Sequence, residues 1–191
     1  MPDRCTLGTE CLPAERERAL LRAAGRRAHA RHVSATPATS TLRKAGVAFA
    51  EHLYDYVEHG GTGEAARQLG VEENRIIKTL LMKDDRGTEL VILMHGDCSV
   101  STRNLARSIG VKSVAPCVPE QAERVTGYRV GGISPFGTRK RLPVYVERTV
   151  LELPRLLVNG GRRGYLIEIE PSVLATLLAA TPVECALKDV A

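Results

Sequence analysis

Apolar and polar residues alternate, or recur with helical spacing, in short stretches from about residue 36 to the end of the chain. Thr36 followed by Pro37 is typical of a helix N-cap with proline at the first helical position, and we expect this helix to end at Gly46. The apolar runs 76–83 and 88–94 are separated by the turn sequence Asp-Asp-Arg-Gly. This arrangement predicts a β-hairpin.

The same patterns predict the remaining elements. Helices are expected at 62–69, Ser101–Ile109, Pro119–Val125 and Ser172–Ala179. Strands are expected at 47–54, 111–115, 142–147, 156–158, 165–169 and 183–187, with a turn at 159–164. Because short helices interleave with many strands, we predict an α+β fold, a single domain with a mixed, curved, barrel-like sheet flanked by short helices.

Composition narrows the class of protein. Hydrophobic residues make up 43% of the chain, with two Phe, five Tyr and no Trp, so the core must be largely aliphatic. No apolar run approaches the roughly 18 residues of a membrane-spanning helix, and the start of the chain lacks a secretory pattern. The five cysteines are odd in number and show no Cys-x-x-Cys spacing. These features predict a cytoplasmic protein with reduced thiols, no membrane segment and no metal.

Charge is unevenly distributed along the chain. The net charge is +5, and residues 1–35 alone hold seven Arg against four acidic residues. We therefore expect two parts, an Arg-rich extension at 1–35, partly helical or disordered, and a folded domain at 36–191. A solvated extension is favoured over an RNA-contacting arm. The mildly basic balance is compatible with RNA, because phosphates attract Lys and Arg.

One candidate site lies in the first apolar strand. The sequence has no phosphate-binding loop, dinucleotide-binding fingerprint or Gly-x-Ser-x-Gly elbow. Lys78, however, interrupts an apolar strand and shares a face with Ile76 and Leu80 by strand alternation. A lysine there costs free energy unless its ammonium is paired or reaches a cleft. The alternative is an edge lysine whose ammonium extends to water.

A second candidate site is the glycine-rich stretch from Thr126 to Gly137. The pair Gly131-Gly132 permits close approach of a ligand to the backbone. Successive N–H groups in such a stretch can bind an anion. The alternative is a tight structural turn without a ligand.

With both stretches in view, the chain resembles the YbaK family of Cys-tRNA(Pro)/Cys-tRNA deacylases, which are related to the editing domain of bacterial prolyl-tRNA synthetase. The resemblance covers about residues 36–190. Its most specific elements are Lys78-Thr79-Leu80 and the sequence from Thr126-Gly127-Tyr128 through Gly131-Gly132-Ile133-Ser134-Pro135-Phe136-Gly137. It implies an α+β enzyme that hydrolyses the ester between an amino acid and the 3′ adenosine of tRNA.

The resemblance also implies roles for particular residues. The catalytic group would be Lys78, Ser134, Gly131 and Gly132, with the glycine amides beside the scissile carbonyl. Substrate-binding residues would be Tyr54, Thr79, Thr126, Gly127, Pro135, Gly160, Gly161 and Arg162. The implied partners are the aminoacylated 3′ end of tRNA and prolyl-tRNA synthetase, and neither cofactor nor metal is expected.

In this interpretation the nucleophile is a group of the substrate and not of the protein. A cysteinyl ester carries a thiol that can attack its carbonyl once it is positioned, and positioning supplies much of the acceleration. Residues 57–63 depart from the family by being short and lacking an aromatic residue, which leaves the side-chain preference open. Two alternatives therefore remain: editing of Ala-tRNA or another small aminoacyl-tRNA, and a non-catalytic module that binds tRNA or a synthetase.

Overall fold

A computed structural model describes residues 35–188 of the chain. Its strands are β1 Ala50–Leu53, β2 Ile76–Asp84, β3 Glu89–His95, β4 Cys98–Val100, β5 Val114–Pro116, β6 Val144–Glu147, β7 Leu156–Arg162, β8 Tyr165–Ile169, β9 Thr181–Val183 and β10 Ala186–Lys188. Its α-helices are α1 Pro37–Lys44, α2 Gly61–Leu69, α3 Thr102–Ile109, α4 Pro119–Thr126 and α5 Ser172–Leu178. Short 3-10 helices span Glu73–Arg75 and Arg148–Glu152. The predicted extension lies outside the described residues, apart from Ala35.

Eight of the ten strands form one mixed sheet, and β4 and β10 pair as a separate two-stranded sheet. The order of the large sheet is β1-β8-β7-β2-β3-β6-β9, and β5 pairs with β2 beside this path. The pairs β2–β7, β3–β6 and β6–β9 are parallel, while β2–β3 and β7–β8 are antiparallel. The path is open, with β1 and β9 at its ends. The predicted α+β fold with a mixed sheet is confirmed.

The central strand β2 has a divided edge. Along one edge it pairs with β3 from Ile77 to Lys83. Along the other, the parallel ladder with β7 ends at Ile77, and the antiparallel ladder with β5 begins at Met82. Because β7 and β5 diverge between these two points, the sheet is split along the middle of β2. We call this feature the sheet gap.

Two helices cover one face of β2 at opposite ends of the gap. α2 packs Ala65 and Ala66 against Ile76, in a cluster that also holds Leu157 and Leu166. α3 packs Leu105 and Ala106 into a second cluster that contains Met82. Ile76, Lys78 and Met82 share this face by strand alternation. Lys78 therefore lies between the two covered ends.

The local signals in the sequence account for several element ends. The predicted N-cap of α1 is confirmed and forms a capping box, in which the Thr36 hydroxyl accepts from the Thr39 N–H at 3.1 Å and the Thr39 hydroxyl accepts from the Thr36 N–H at 2.9 Å. Gly70 and Gly110 end α2 and α3 in the left-handed conformation. The hairpin of β2 and β3 is confirmed. No helix within residues 35–188 is both long and apolar enough to cross a bilayer.

Other predicted boundaries are wrong for identifiable reasons. The turn predicted at 159–164 is confined to 163–164, because β7 continues to Arg162 through a bulge in which the Asn159 side-chain oxygen accepts from the N–H groups of Gly161 and Arg162. The single strand expected at 183–187 is two strands, β9 and β10. β4 was not predicted, since three residues are too few for a periodicity to show. The predicted strand at 47–54 is shorter, at Ala50–Leu53.

The break between β9 and β10 is organised by a buried carboxylate. Glu147 is only 4% exposed, and its Oε2 accepts from the N–H groups of Cys185 and Ala186, each at 2.8 Å. Glu147→Ala leaves both donors without this acceptor, so we expect the free energy of unfolding to fall by about 3 kcal/mol. Urea unfolding followed by circular dichroism measures this. The control, Glu184→Ala, removes an exposed ion pair with Arg148 and should cost less than about 1 kcal/mol; equal losses would contradict the assignment.

Candidate active site

A cavity of about 770 Å³ opens at the sheet gap. Its walls come from β2, α2, β4, the start of α3, the β5–α4 connection and the loop that follows α4. Residues of β7 and of the β7–β8 turn complete it. The volume is in the range of small-molecule binding sites in proteins. Because the cavity lies where two ladders separate, it reaches residues on both faces of β2.

Lys78 lines this cavity from the middle of the central strand. Its side chain is half-buried, and Nζ donates a hydrogen bond to the Cys98 carbonyl oxygen at 3.0 Å. β2 lies inside the strand order, so the alternative of a lysine on the outer edge of the sheet is wrong. The site therefore holds a cation whose position is fixed by β2 and β4.

Thr79 also lines the cavity, and strand alternation directs it to the opposite face from Lys78. Its hydroxyl oxygen is buried and has no hydrogen-bond partner among residues 35–188. A buried hydroxyl without a partner costs roughly 1–3 kcal/mol, so such groups are uncommon unless they have a function. Thr79 thus offers a polar group that a bound molecule could satisfy.

The glycine loop, residues 127–137, contributes Gly131 to the cavity wall. Gly131 has φ of +83°, and a Cβ there would lie 3.0 Å from the Tyr56 hydroxyl, so only glycine fits without strain. The Asn159 side-chain amide donates to the Gly131 carbonyl oxygen at 3.0 Å. Asn159 on β7 therefore fixes the orientation of the peptide group that follows Gly131.

Gly132 and Ser134 are turned away from the cavity. The Gly132 N–H donates to the Arg129 carbonyl at 2.9 Å, which commits this amide to a turn. Ser134 is 0% exposed, and its hydroxyl oxygen accepts from the Phe136 N–H at 3.3 Å. Neither residue lines the cavity. Their contact with substrate stays a prediction, and this geometry does not support it.

Six of the expected substrate-binding residues also lie outside the cavity lining, namely Thr126, Gly127, Pro135, Gly160, Gly161 and Arg162. Several have a packing role instead. A Cβ on Gly160 would lie 2.5 Å from the Tyr165 ring, and one on Gly161 would lie 2.8 Å from the Tyr128 ring. The glycines of β7 thus let aromatic rings pack against the backbone behind the glycine loop.

Tyr128 holds the glycine loop in place. Its hydroxyl donates to the Phe136 carbonyl oxygen at 2.7 Å. Burial raises the pKa of Tyr128 to about 12, so the phenol stays protonated as a donor over the physiological range. The loop end meets α1, where a Cβ on Gly137 would lie 2.6 Å from Pro37 backbone atoms. These contacts make the cavity wall at Gly131 part of a packed structure.

Tyr54 lines the cavity as expected, but other lining residues were not predicted. The missed residues include Tyr56, His59, Cys117, Asn159 and Arg163. The Arg163 guanidinium lies 4.9 Å from the centre of the Tyr56 ring, and its Nε donates to the Val130 carbonyl at 2.8 Å. Asn159 before two glycines was a usable signal, because Asn side chains commonly bond backbone groups two residues on.

Comparison with known proteins identifies the family. The model of the aminoacyl-tRNA editing domain matches residues 60–177. EbsC of Enterococcus faecalis, a candidate Cys-tRNA(Pro)/Cys-tRNA(Cys) deacylase, is 28% identical over 155 residues, covering 81% of this chain and 94% of EbsC. Proline--tRNA ligase of Moorella thermoacetica is 33% identical over 108 residues, which span 54% of this chain and 18% of the ligase.

Solved structures share the fold. A candidate trans-editing enzyme for prolyl-tRNA synthetase superposes with a TM-score of 0.69 at 24% identity, covering 82% of this chain and 100% of that one. The hypothetical protein APE2540 gives a TM-score of 0.73 at 24% identity, covering 80% and 100%. The chain belongs to the aminoacyl-tRNA editing domain family. The predicted class, an enzyme that removes amino acids from mischarged tRNA, is confirmed.

The cavity contains a thiol that is protonated at neutral pH. Burial, and then the charge of Glu89, raises the pKa of Cys117 above its ordinary value, with Lys83 opposing. The thiolate is the form that reacts with iodoacetamide. We therefore expect iodoacetamide to modify Cys117 at pH 7 more slowly in the native chain than in the chain unfolded in urea. The pH at which the modification rate is half-maximal should also be higher for the native chain. Peptide mass spectrometry at Cys117 measures both rates. A native midpoint at or below that of the unfolded chain would contradict this.

Proposed function

We propose that this protein acts in trans to hydrolyse the ester bond of Cys-tRNA, with Cys-tRNA(Pro) as the principal substrate. One observation carries the proposal: Lys78 and Thr79 of β2 and Gly131 of the glycine loop line a single cavity. A cation, an unsatisfied hydroxyl and a constrained peptide converge there on a space of about 770 Å³. This set suits the aminoacylated terminal adenosine of tRNA.

Each group has a distinct task in the proposed reaction. The Lys78 ammonium, anchored on the Cys98 carbonyl, attracts the terminal phosphate or ribose region. The Thr79 hydroxyl bonds the bound ester. Gly131, held by Asn159, presents its backbone to the scissile carbonyl. Groups that are fixed before substrate arrives need little rearrangement in the transition state, which is the basis of electrostatic catalysis.

The nucleophile in this proposal belongs to the substrate. The Cys117 thiol is kept protonated and Ser134 is buried, so neither is suited to attack. The thiol of a bound cysteinyl group can attack its own carbonyl carbon, forming a C–S bond as the C–O bond to the ribose breaks. The thiol proton passes to the departing oxygen, so the tRNA leaves with a free hydroxyl. Water then opens the resulting four-membered thiolactone and gives free cysteine, which completes the net hydrolysis of the ester. The enzyme supplies positioning, which can account for a large part of the acceleration.

The relatives support the choice of substrate and partner. EbsC is a candidate Cys-tRNA(Pro)/Cys-tRNA(Cys) deacylase by name, and this chain covers 94% of its length. Proline--tRNA ligases share part of the domain, which favours prolyl-tRNA synthetase as a partner that supplies the mischarged tRNA. We also propose that residues 36–191 are the deacylase domain, that 1–35 are a separate extension, and that the protein works in the cytoplasm, without a metal.

Lys78→Met removes the cation on β2 and keeps most of the side-chain stem, while the second cation in the lining, Arg163, is unchanged. We expect wild-type protein to release cysteine from Cys-tRNA(Pro) much faster than it releases alanine or serine from Ala-tRNA or Ser-tRNA. Lys78→Met should lower kcat/KM on Cys-tRNA(Pro) at least about 100-fold, since a charged hydrogen bond in a water-poor site contributes about 3 kcal/mol. Release of radiolabelled amino acid measures this.

The matched control is Lys83→Met, which removes the same charge from the same strand outside the cavity. It should retain activity within about threefold. Tm should change by only a few degrees in both variants. Binding of charged tRNA without ester loss by wild-type protein would support the non-catalytic alternative, and faster release of alanine would move the substrate assignment to Ala-tRNA.

Thr79→Val replaces the unsatisfied hydroxyl with a methyl group. Because the hydroxyl has no partner among residues 35–188, we expect Tm to stay constant or rise. We expect kcat/KM on Cys-tRNA(Pro) to fall about tenfold, the loss of one hydrogen bond worth about 1.4 kcal/mol. Thermal melting and deacylation assays measure the two effects. A lower Tm with unchanged activity would show that Thr79 is structural.

A further inference from the structure

A second concavity of about 390 Å³ adjoins the candidate active site. It lies between α3 and the segment that leads into β5. Thr102, Arg103, Arg107, Lys112 and Ser113 provide its polar lining. We call this surface the basic groove. It is distinct from the cavity at the sheet gap and holds none of Lys78, Thr79 or Gly131.

The groove concentrates positive charge by the periodicity of α3. Arg103 and Arg107 are four residues apart and therefore share one helix face, while Leu105 is buried on the opposite side and Ala106 forms part of the groove floor. Lys112 follows shortly after the helix ends. All three cationic side chains are exposed.

These charges are not neutralised by neighbouring carboxylates. Elsewhere, Arg43, Arg67 and Lys140 form ion pairs with Glu51, Glu64 and Glu89. Within residues 35–188, no carboxylate lies within 4.0 Å of a charged nitrogen of Arg103, Arg107 or Lys112.

One carboxylate does lie near the groove. Asp85 accepts a hydrogen bond from the Lys112 backbone N–H at 3.0 Å. Asp85 does not line the groove, and its one negative charge is outnumbered by the three cations Arg103, Arg107 and Lys112, so the groove keeps an excess of positive charge.

The groove is continuous with the cavity. Thr102 lines both concavities, so the groove begins where the cavity wall ends at the start of α3. When the terminal aminoacyl-adenosine of tRNA is bound in the cavity, the rest of the tRNA chain lies outside it. A strand that leaves past Thr102 meets Arg103 first and Arg107 one helical turn further, about 6 Å along the axis.

We propose that the basic groove binds the phosphodiester backbone of the tRNA acceptor end as it leaves the cavity. The proposal rests on the proposed function and extends it from the ester to the polynucleotide. Arginine suits this role, because its planar guanidinium donates two parallel hydrogen bonds to a phosphate. The hydroxyls of Thr102 and Ser113 add neutral donors beside the charges. Such contacts position the nucleic acid without reading its sequence.

The test compares two substrates in the full chain. Arg103→Gln/Arg107→Gln removes both helix cations, and Arg43→Gln/Lys44→Gln removes two from α1, which lines neither concavity. On Cys-tRNA(Pro), the groove variant should raise KM at least tenfold with kcat nearly unchanged. On the cysteinyl ester of adenosine, which has no phosphate, it should match wild type. The slope of log KM against log salt concentration should fall by roughly 0.7 for each phosphate that the variant no longer neutralises.

The outcomes separate this proposal from the proposed function. Three results would each overturn the groove assignment. The groove variant could raise KM equally on both substrates, it could leave KM on Cys-tRNA(Pro) unchanged, or the α1 control could raise KM on Cys-tRNA(Pro) by the same factor. If wild-type protein hydrolyses neither substrate, the proposed function fails. Filter binding of uncharged tRNA still tests whether the basic groove binds the tRNA backbone. Weaker binding by the groove variant than by the α1 control would support the proposal, and equal binding would overturn it.

Discussion

The site depends on one constraint, the division of the β2 edge between two partners that run in opposite directions. A parallel ladder with β7 ends at Ile77, and an antiparallel ladder with β5 begins at Met82. Strands that diverge in this way cannot close the sheet between them, so the middle of β2 borders a cavity inside the fold. The continuous ladder with β3 keeps this segment of β2 straight and rigid. The Lys78 cation is thereby placed on regular secondary structure, where its position is well defined.

The opposite wall of the cavity is a loop, and its order comes from contacts behind it. Tyr128 bonds the Phe136 carbonyl, and Asn159 bonds the Gly131 carbonyl. Glycines in β7 allow the rings of Tyr128 and Tyr165 to approach the backbone closely. The glycine-rich sequence therefore serves mainly packing, and of the glycine loop Val130, Gly131 and Ile133 line the cavity. Rigid support of this kind keeps an active-site loop in one geometry before substrate binds.

The sequence was sufficient to predict features that depend on local chemistry. The N-cap at Thr36, the hairpin of β2 and β3, and a strand lysine that reaches a cleft, Lys78, follow from residues close together in the chain. The local sequence does not show which residue of the glycine loop faces the cavity. That depends on how the loop packs against segments that are distant in the chain. Asn159 and Cys117 reach the site because β7 and β5 pair with β2 on either side of the sheet gap. No periodic pattern in the sequence predicts that pairing.

The chemistry of the cavity fits a reaction in which the enzyme selects and positions the substrate, while the substrate supplies the nucleophile. The pKa of the Cys117 thiol is displaced toward the protonated, less reactive form, and aliphatic residues of β2 line the cavity around Lys78 and Thr79. A protein nucleophile would attack any small aminoacyl ester that entered. The proposed reaction uses no protein nucleophile, so it runs fastest on the ester that carries its own thiol, and selectivity arises in the chemical step. Discrimination by size alone could not achieve this, since one small side chain differs from another by only about 1–3 kcal/mol in an apolar pocket.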